Sequence, residues 1–207
     1  MREIDPKTTS RAKAFDLWMK ATMPMVTMTK TFDISHFKSI SKRKGVKLNM
    51  LMCYAVVKAA SSFKEFYVLP VGDKLMAFDN IGINTIVMTT NGGINTCDIP
   101  FSEDIHTFEA DYLRITQLAQ QSTEDIVLGD DYMIIGSSAL TKCELDSVVN
   151  VYAGFWNNPF VVWSKYRTRW FKTTLSLSFQ FHHTQMDGPI STGFLNKLQE
   201  VMNTLEY

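Results

Sequence analysis

The segment His182-His183-Thr184-Gln185-Met186-Asp187-Gly188 carries the residue types and spacing best suited to chemistry. A neutral imidazole near pH 7 is the side chain that most readily takes a proton from a hydroxyl or thiol. If the reaction is acyl transfer, a Ser hydroxyl or backbone N–H groups must also stabilise an oxyanion. Ser137 and Ser138 are candidates, but they lie about 45 residues before His183 and spacing alone does not bring them together. Asp187, four residues after His183, can fold back into a local charge network, and Gly188 permits a tight turn. The plainer reading of the same residues is a polar cap on a strand end followed by an Asp-Gly turn. Metal binding is not expected, because no Cys or Glu-x-x-His partner accompanies His182, His183 and Asp187. A Ser-His-Asp hydrolase is disfavoured too. Ile135-Gly136-Ser137-Ser138-Ala139 lacks the final Gly of a nucleophile elbow.

Such a His pair needs a rigid support. Lys172 to Phe181 supplies one, with Leu175, Leu177, Phe179 and Phe181 alternating with Thr174, Ser176, Ser178 and Gln180 in the two-residue period of a strand. A helix is predicted over Ile190–Leu205 after it. Upstream, Arg11–Lys20 reads as a short helix behind a Thr9/Ser10 cap, with Ala14, Leu17 and Trp18 on one face. Met23–Phe32 reads as a strand, and Asp33-Ile34-Ser35 opens a helix running through Lys44 to Gly45. Asn49–Phe63 is the strongest helical segment. Lys74–Phe78 and Ile81–Thr89 read as a strand pair joined at Asp79-Asn80. Ile94–Ile99 is a further strand. Asp104–Gln121 is helical, with Phe108, Tyr112, Ile115 and Leu118 as its stripe. Tyr132–Ile135 reads as a short strand ending in a Gly136-Ser137-Ser138 turn, and Phe160–Tyr166 as another strand. Helices and strands mix without regular βαβ alternation. The expected fold class is therefore α/β, a two-layer sandwich with a mixed β-sheet covered by helices, in a single domain over residues 1–207.

Composition narrows the function. The chain has 207 residues, 45% hydrophobic and 20% charged, with 21 basic and 21 acidic side chains. Zero net charge gives no electrostatic argument for nucleic acid or an acidic membrane as partner. The cluster Lys42, Arg43, Lys44 and Lys47 and the stretch Arg167-Thr168-Arg169 both read as solvated surface. Cys53, Cys97 and Cys143 are widely spaced and odd in number, which favours a reducing compartment. No apolar run reaches the length of a membrane span and no signal region is visible, so a cytoplasmic location is expected.

The motif His182-His183-Thr184-Gln185-Met186-Asp187-Gly188 resembles the His-His-x-x-x-Asp-Gly signature of chloramphenicol acetyltransferases, and a related version occurs in the acyltransferase cores of 2-oxo acid dehydrogenase complexes. Lys165-Tyr166 precedes the His pair by the spacing seen in that family. Ser138-Ala139-Leu140 followed by Leu145-Asp146-Ser147, the Phe32-Asp33-Ile34-Ser35 segment, the helix with Arg11, Phe15 and Trp18, and Phe194 to Glu200 extend the resemblance over nearly the whole chain. It implies a CoA-dependent acyltransferase fold and an O-acetyltransferase that uses acetyl-CoA as co-substrate, without a permanently bound cofactor, and acts on chloramphenicol or a similar small hydroxylated acceptor. Antibiotic resistance is the implied role. His183 would be the general base, its ring held by a backbone contact. Ser138 would hydrogen-bond the oxyanion. Asp187 would form a structural ion pair with Arg11. Lys165 and Tyr166 would lie along the CoA tunnel, and Trp18 would line the acceptor pocket where Tyr is common. The family further implies a homotrimer with sites between subunits. Four departures stand out: Met186 for Cys, Pro189 for an aromatic, Thr141-Lys142 for Pro-Trp, and Gly136 for Asn. They bear on the acceptor pocket more than on acyl transfer. Two other readings are a lipoamide-type acyltransferase core, which predicts an upstream lipoyl domain and linker, and a catalytically inactive trimer that binds CoA or a small molecule.

Overall fold

The computed structural model describes all residues from Met1 to Tyr207. In chain order the elements are β1 (Arg2–Ile4), α1 (Ala12–Trp18), β2 (Met25–Asp33), α2 (Ser35–Lys44), α3 (Leu48–Ala60), β3 (Val68–Val71), β4 (Lys74–Ala77), β5 (Asn80–Met88), β6 (Ile94–Pro100), α4 (Ile105–Gln121), β7 (Tyr132–Leu140), β8 (Phe160–Ser164), β9 (Arg167–Arg169), β10 (Lys172–His182) and α5 (Gly188–Thr204). The main sheet runs β2-β10-β8-β7-β5-β6, with β9 paired to β10. Strands β7 and β8 run parallel, as do β5 and β7, while β10 is antiparallel to both β2 and β8. This is a mixed sheet with helices on one face.

Alternation along β10 decides which face is covered. Leu175, Leu177, Phe179 and Phe181 are buried toward the helices. Phe179 lies 4.7 Å from Phe194 of α5 and 6.0 Å from Phe66, ring to ring. Burying a side chain of that size contributes about 2–3 kcal/mol. The intervening Ser176, Ser178 and Gln180 pair in register with Thr31, Thr29 and Thr27 of β2, so the opposite face is lined with hydroxyls and amides. Helix α3 sits at the centre of the core. Its buried residues include Met50 through Val57 without interruption, as a helix enclosed on every side requires.

Several expectations need correction. The Lys74–Phe78 and Ile81–Thr89 segments form strands but do not pair with each other. Strand β4 joins β1 and β3 in a separate three-stranded sheet, whereas β5 enters the main sheet between β6 and β7. Both segments carry strand patterning, and local sequence does not specify which edge each one meets. Ser137 and Ser138 lie within β7, which continues to Leu140, rather than on a turn after it. Helix α1 ends at Trp18 and has no fully buried residue; Leu17 is 57% exposed. In α4, Leu118 faces solvent and Ala119 is buried in its place. No helix is long and apolar enough to cross a membrane.

Candidate active site

The loop after β10 is tied down from three directions. His183 N–H donates to the Pro24 carbonyl at 2.8 Å, which fixes the loop against the chain entering β2. Arg11, just before α1, reaches across to the same loop. Its Nη1 donates to Asp187 Oδ2 at 3.0 Å, its Nη2 to the His183 carbonyl at 2.8 Å and its Nε to the Thr184 carbonyl at 2.8 Å. The guanidinium fork thus holds two consecutive carbonyls and a carboxylate at once, a geometry that an ammonium cannot reproduce. The Arg11 side chain is 11% exposed and that of Asp187 43%, so the two carbonyl bonds are better shielded than the ion pair.

Helix α1 supplies Trp18 as well. Its indole stacks on the His183 imidazole with ring centroids 4.6 Å apart and planes within 8°. The His183 Nδ1 is buried without a hydrogen-bond partner. The backbone contact expected to hold the ring is therefore absent, and an aromatic stack orients it instead.

His182 and His183 have opposite environments. His182 is 2% exposed, and its Nδ1 accepts the Thr184 N–H at 3.1 Å, which places the remaining proton on Nε2. Burial, reinforced by the nearby charge of His183, lowers its pKa to about 4 from an ordinary 6.5. The unfolded chain therefore takes up this proton first as the pH falls. The contribution of a neutral His182 to stability is complete above about pH 6.5 and is lost on descending toward pH 4. Urea unfolding as a function of pH is expected to show that loss. In His182→Asn, which keeps an acceptor but has no proton to gain, the slope between pH 6.5 and 4 should flatten; an unchanged slope would remove His182 as the cause.

The serines on β7 part company because neighbouring residues of a strand face opposite sides. Ser137 is fully buried toward the helices, donates to the Asn84 carbonyl at 2.7 Å and lies beside Cys53 of α3. Ser138 is half-buried on the opposite face. It pairs in register with Val162 of β8, which pairs with Ser178 of β10. His183 is five residues beyond Ser178. With about 3.3 Å per strand residue and about 4.8 Å between strands, Ser138 and His183 of one chain lie on the order of 15–20 Å apart. One chain does not bring them together.

Lys165 and Tyr166 follow β8 on the exposed rim of a cleft of about 330 Å³, which Leu48, Asn49, Met52 and Trp163 also line. Thr141, three residues after Ser138, lines it too, so the cleft opens beside the end of β7. Asn49 donates to Tyr112 Oη at 3.0 Å but leaves its Oδ1 buried and unpartnered. Gly136 has a clear reason to lack a side chain, because the Phe160 ring stands 2.2 Å from where a Cβ would be. Sequence reasoning missed Asn49, and also the stacked contact of Trp18. Neither leaves a local signal: Asn49 reads as a helix-start residue, and the stack depends on the docking of α1.

The overall fold is that of the CoA-dependent acyltransferases. A solved chloramphenicol acetyltransferase superposes with a TM-score of 0.85 at 20% identity, covering 97% of this chain and 99% of that one. A probable dihydrolipoamide acetyltransferase from Listeria monocytogenes superposes with a TM-score of 0.68 at 15% identity, covering 98% and 94%. The family is narrower than the fold. The model of the chloramphenicol acetyltransferase family matches residues 1–199, and the chain belongs to that family. Chloramphenicol acetyltransferase 3 of Escherichia coli is 25% identical over 208 aligned positions, which span 98% of this chain and 97% of the relative.

Proposed function

We propose that this protein transfers an acetyl group from acetyl-CoA to a hydroxyl of chloramphenicol or a similar small acceptor, at sites shared between subunits of a homotrimer. The observation that carries this reading is the His183 imidazole, stacked on Trp18 and borne by a loop whose carbonyls Arg11 clamps. In the reaction, the His183 imidazole takes the acceptor's hydroxyl proton as its oxygen attacks the thioester carbonyl. The resulting oxyanion accepts a hydrogen bond from Ser138 Oγ of the neighbouring subunit. Collapse of the tetrahedral intermediate expels the CoA thiolate, and the imidazolium returns the proton to it. Trp18 forms one wall of the acceptor pocket as well as orienting the base. The cleft beside Lys165 and Tyr166 receives the CoA arm, where the free Asn49 Oδ1 offers an acceptor to an amide or hydroxyl of that arm.

Two observations support assembly. The separation of Ser138 from His183 requires a second copy if both act on one carbonyl, since each must come within about 3 Å of the reacting group. The segment crossing the polar sheet face also exposes apolar side chains: Val149 is 76% exposed, Val151 88% and Trp156 74%. That segment is anchored by Val148 N–H to Ser178 Oγ and by Gln180 to the Asn150 carbonyl, so the apolar groups sit on a fixed surface.

The test is release of free thiol from acetyl-CoA, with and without chloramphenicol. Acceptor-dependent release is the expected outcome. Release with a different hydroxylated acceptor but none with chloramphenicol would retain the reaction and discard the acceptor. Silence across a broad panel of acceptors, with CoA still bound, would replace the enzyme with a binding homologue.

A further inference from the structure

The hairpin between β9 and β10 ends in a two-residue turn, Trp170-Phe171, and both side chains stand in solvent at 94% and 97% exposure. Trp170 is the only non-glycine residue with a positive φ, at 55°. A bulky side chain is disfavoured there, and glycine is the usual occupant of such a turn position. Neither local backbone preference nor packing therefore accounts for the Trp. Strain combined with exposure at one residue points to use by a ligand.

The surroundings limit what that ligand is. Arg169 flanks the tip, is exposed and forms no ion pair. On the other flank Lys172 is 66% exposed and only loosely paired, 3.6 Å from Asp33. Lys38 of α2 leans onto the hairpin, donating to Thr168 Oγ1 at 2.9 Å. The acidic groups nearby are Asp33 and the Glu144 and Asp146 carboxylates, and the latter two are engaged by Arg167. The remaining neighbours on the hairpin, Thr168 and Thr173, are bonded to each other. Two aromatic rings on a convex tip form no cavity for a small molecule. The apolar area is also far below the roughly 1,000 Å² of a specific protein interface. A Trp at the tip of a cation-flanked projection matches a bilayer surface, where indole rings settle at the headgroup level and Lys and Arg meet anionic lipid.

We propose that the Trp170-Phe171 hairpin tip docks this protein peripherally on anionic lipid bilayers. Zero net charge conceals this, because the surplus cations are local.

Sedimentation with vesicles tests it, using phosphatidylcholine alone and phosphatidylcholine with about one quarter phosphatidylglycerol. The wild type should sediment with the mixed vesicles, remain largely soluble with phosphatidylcholine alone, and be released by high salt. Trp170→Gly places the residue the turn favours, so the fold should survive with an equal or higher Tm. Its bound fraction should fall roughly tenfold while acetyl transfer is unchanged. Phe171→Ser should act alike, and Arg169→Glu should abolish the preference for the anionic lipid. Wild-type protein left in solution with the mixed vesicles would overturn the proposal. So would a Trp170→Gly variant that binds normally, or one that changes subunit association instead of vesicle binding. Sedimentation requires no turnover, so its result is separable from that of the thiol assay.

Discussion

His183→Ala is expected to lower turnover by about 10²–10⁴-fold, the usual worth of general-base catalysis, while CoA affinity stays within about twofold. Within one chain the cleft assigned to CoA lies at the far end of β8 from the loop that carries His183, so in the proposed shared site only the thioester end of CoA would come near the imidazole. A parallel loss of CoA binding would mean that the substitution collapses the loop rather than removing a proton acceptor. The same variant also tests the architecture of the site. Ser138→Ala should be impaired by about 10²–10³-fold, as for the loss of an oxyanion donor. Co-refolded in equal amounts, the two inactive chains should regain about one quarter of wild-type activity, because each site draws an intact His183 from one chain and an intact Ser138 from its neighbour with a chance of about one half each. Were both residues to act from one chain, no mixed trimer would hold an intact site and activity would stay at the level of the single variants. The strand register, with His183 five residues beyond Ser178, motivates the first outcome.

Arg11→Ala is expected to cost roughly 2–4 kcal/mol of stability, because it strips the shielded His183 and Thr184 carbonyls of charge-assisted donors. For a chain of this length that corresponds to a fall in Tm on the order of 10 °C. Activity should drop with it, since the proposed base, His183, then sits on an unsupported loop. Asp187→Asn is the informative contrast. It removes the charge of a half-exposed pair but leaves an acceptor oxygen, so it should cost no more than about 1 kcal/mol. Arg11→Lys should fall between them, as one ammonium cannot hold three acceptors in fork geometry. Differential scanning calorimetry and turnover on the three variants check this order. Equal losses for Arg11→Ala and Asp187→Asn would make the ion pair, rather than the carbonyl clamp, the part that matters.

The sequence alone determined the features that depend on local periodicity and on one compact motif. The alternation from Leu175 to Phe181 marks β10 and its buried face, the unbroken apolar run after Asn49 marks α3, and the His182-to-Gly188 motif marks both the loop proposed to carry the base and the family. These are legible because a strand or helix period is written in neighbouring residues. What the tertiary structure decided are relations between distant segments. It separated β4 from β5 into different sheets, and it turned Ser137 into the core and Ser138 away from it. It replaced an expected backbone contact on the His183 ring with the face of Trp18, and gave Arg11 two carbonyls besides its carboxylate. It also revealed Trp170 as a strained and fully exposed residue, which a balanced net charge and an ordinary hairpin pattern conceal. The physical reason is the same in each case: the free energy of these contacts depends on which surfaces meet and on where water is excluded, and both are settled only when the whole chain packs.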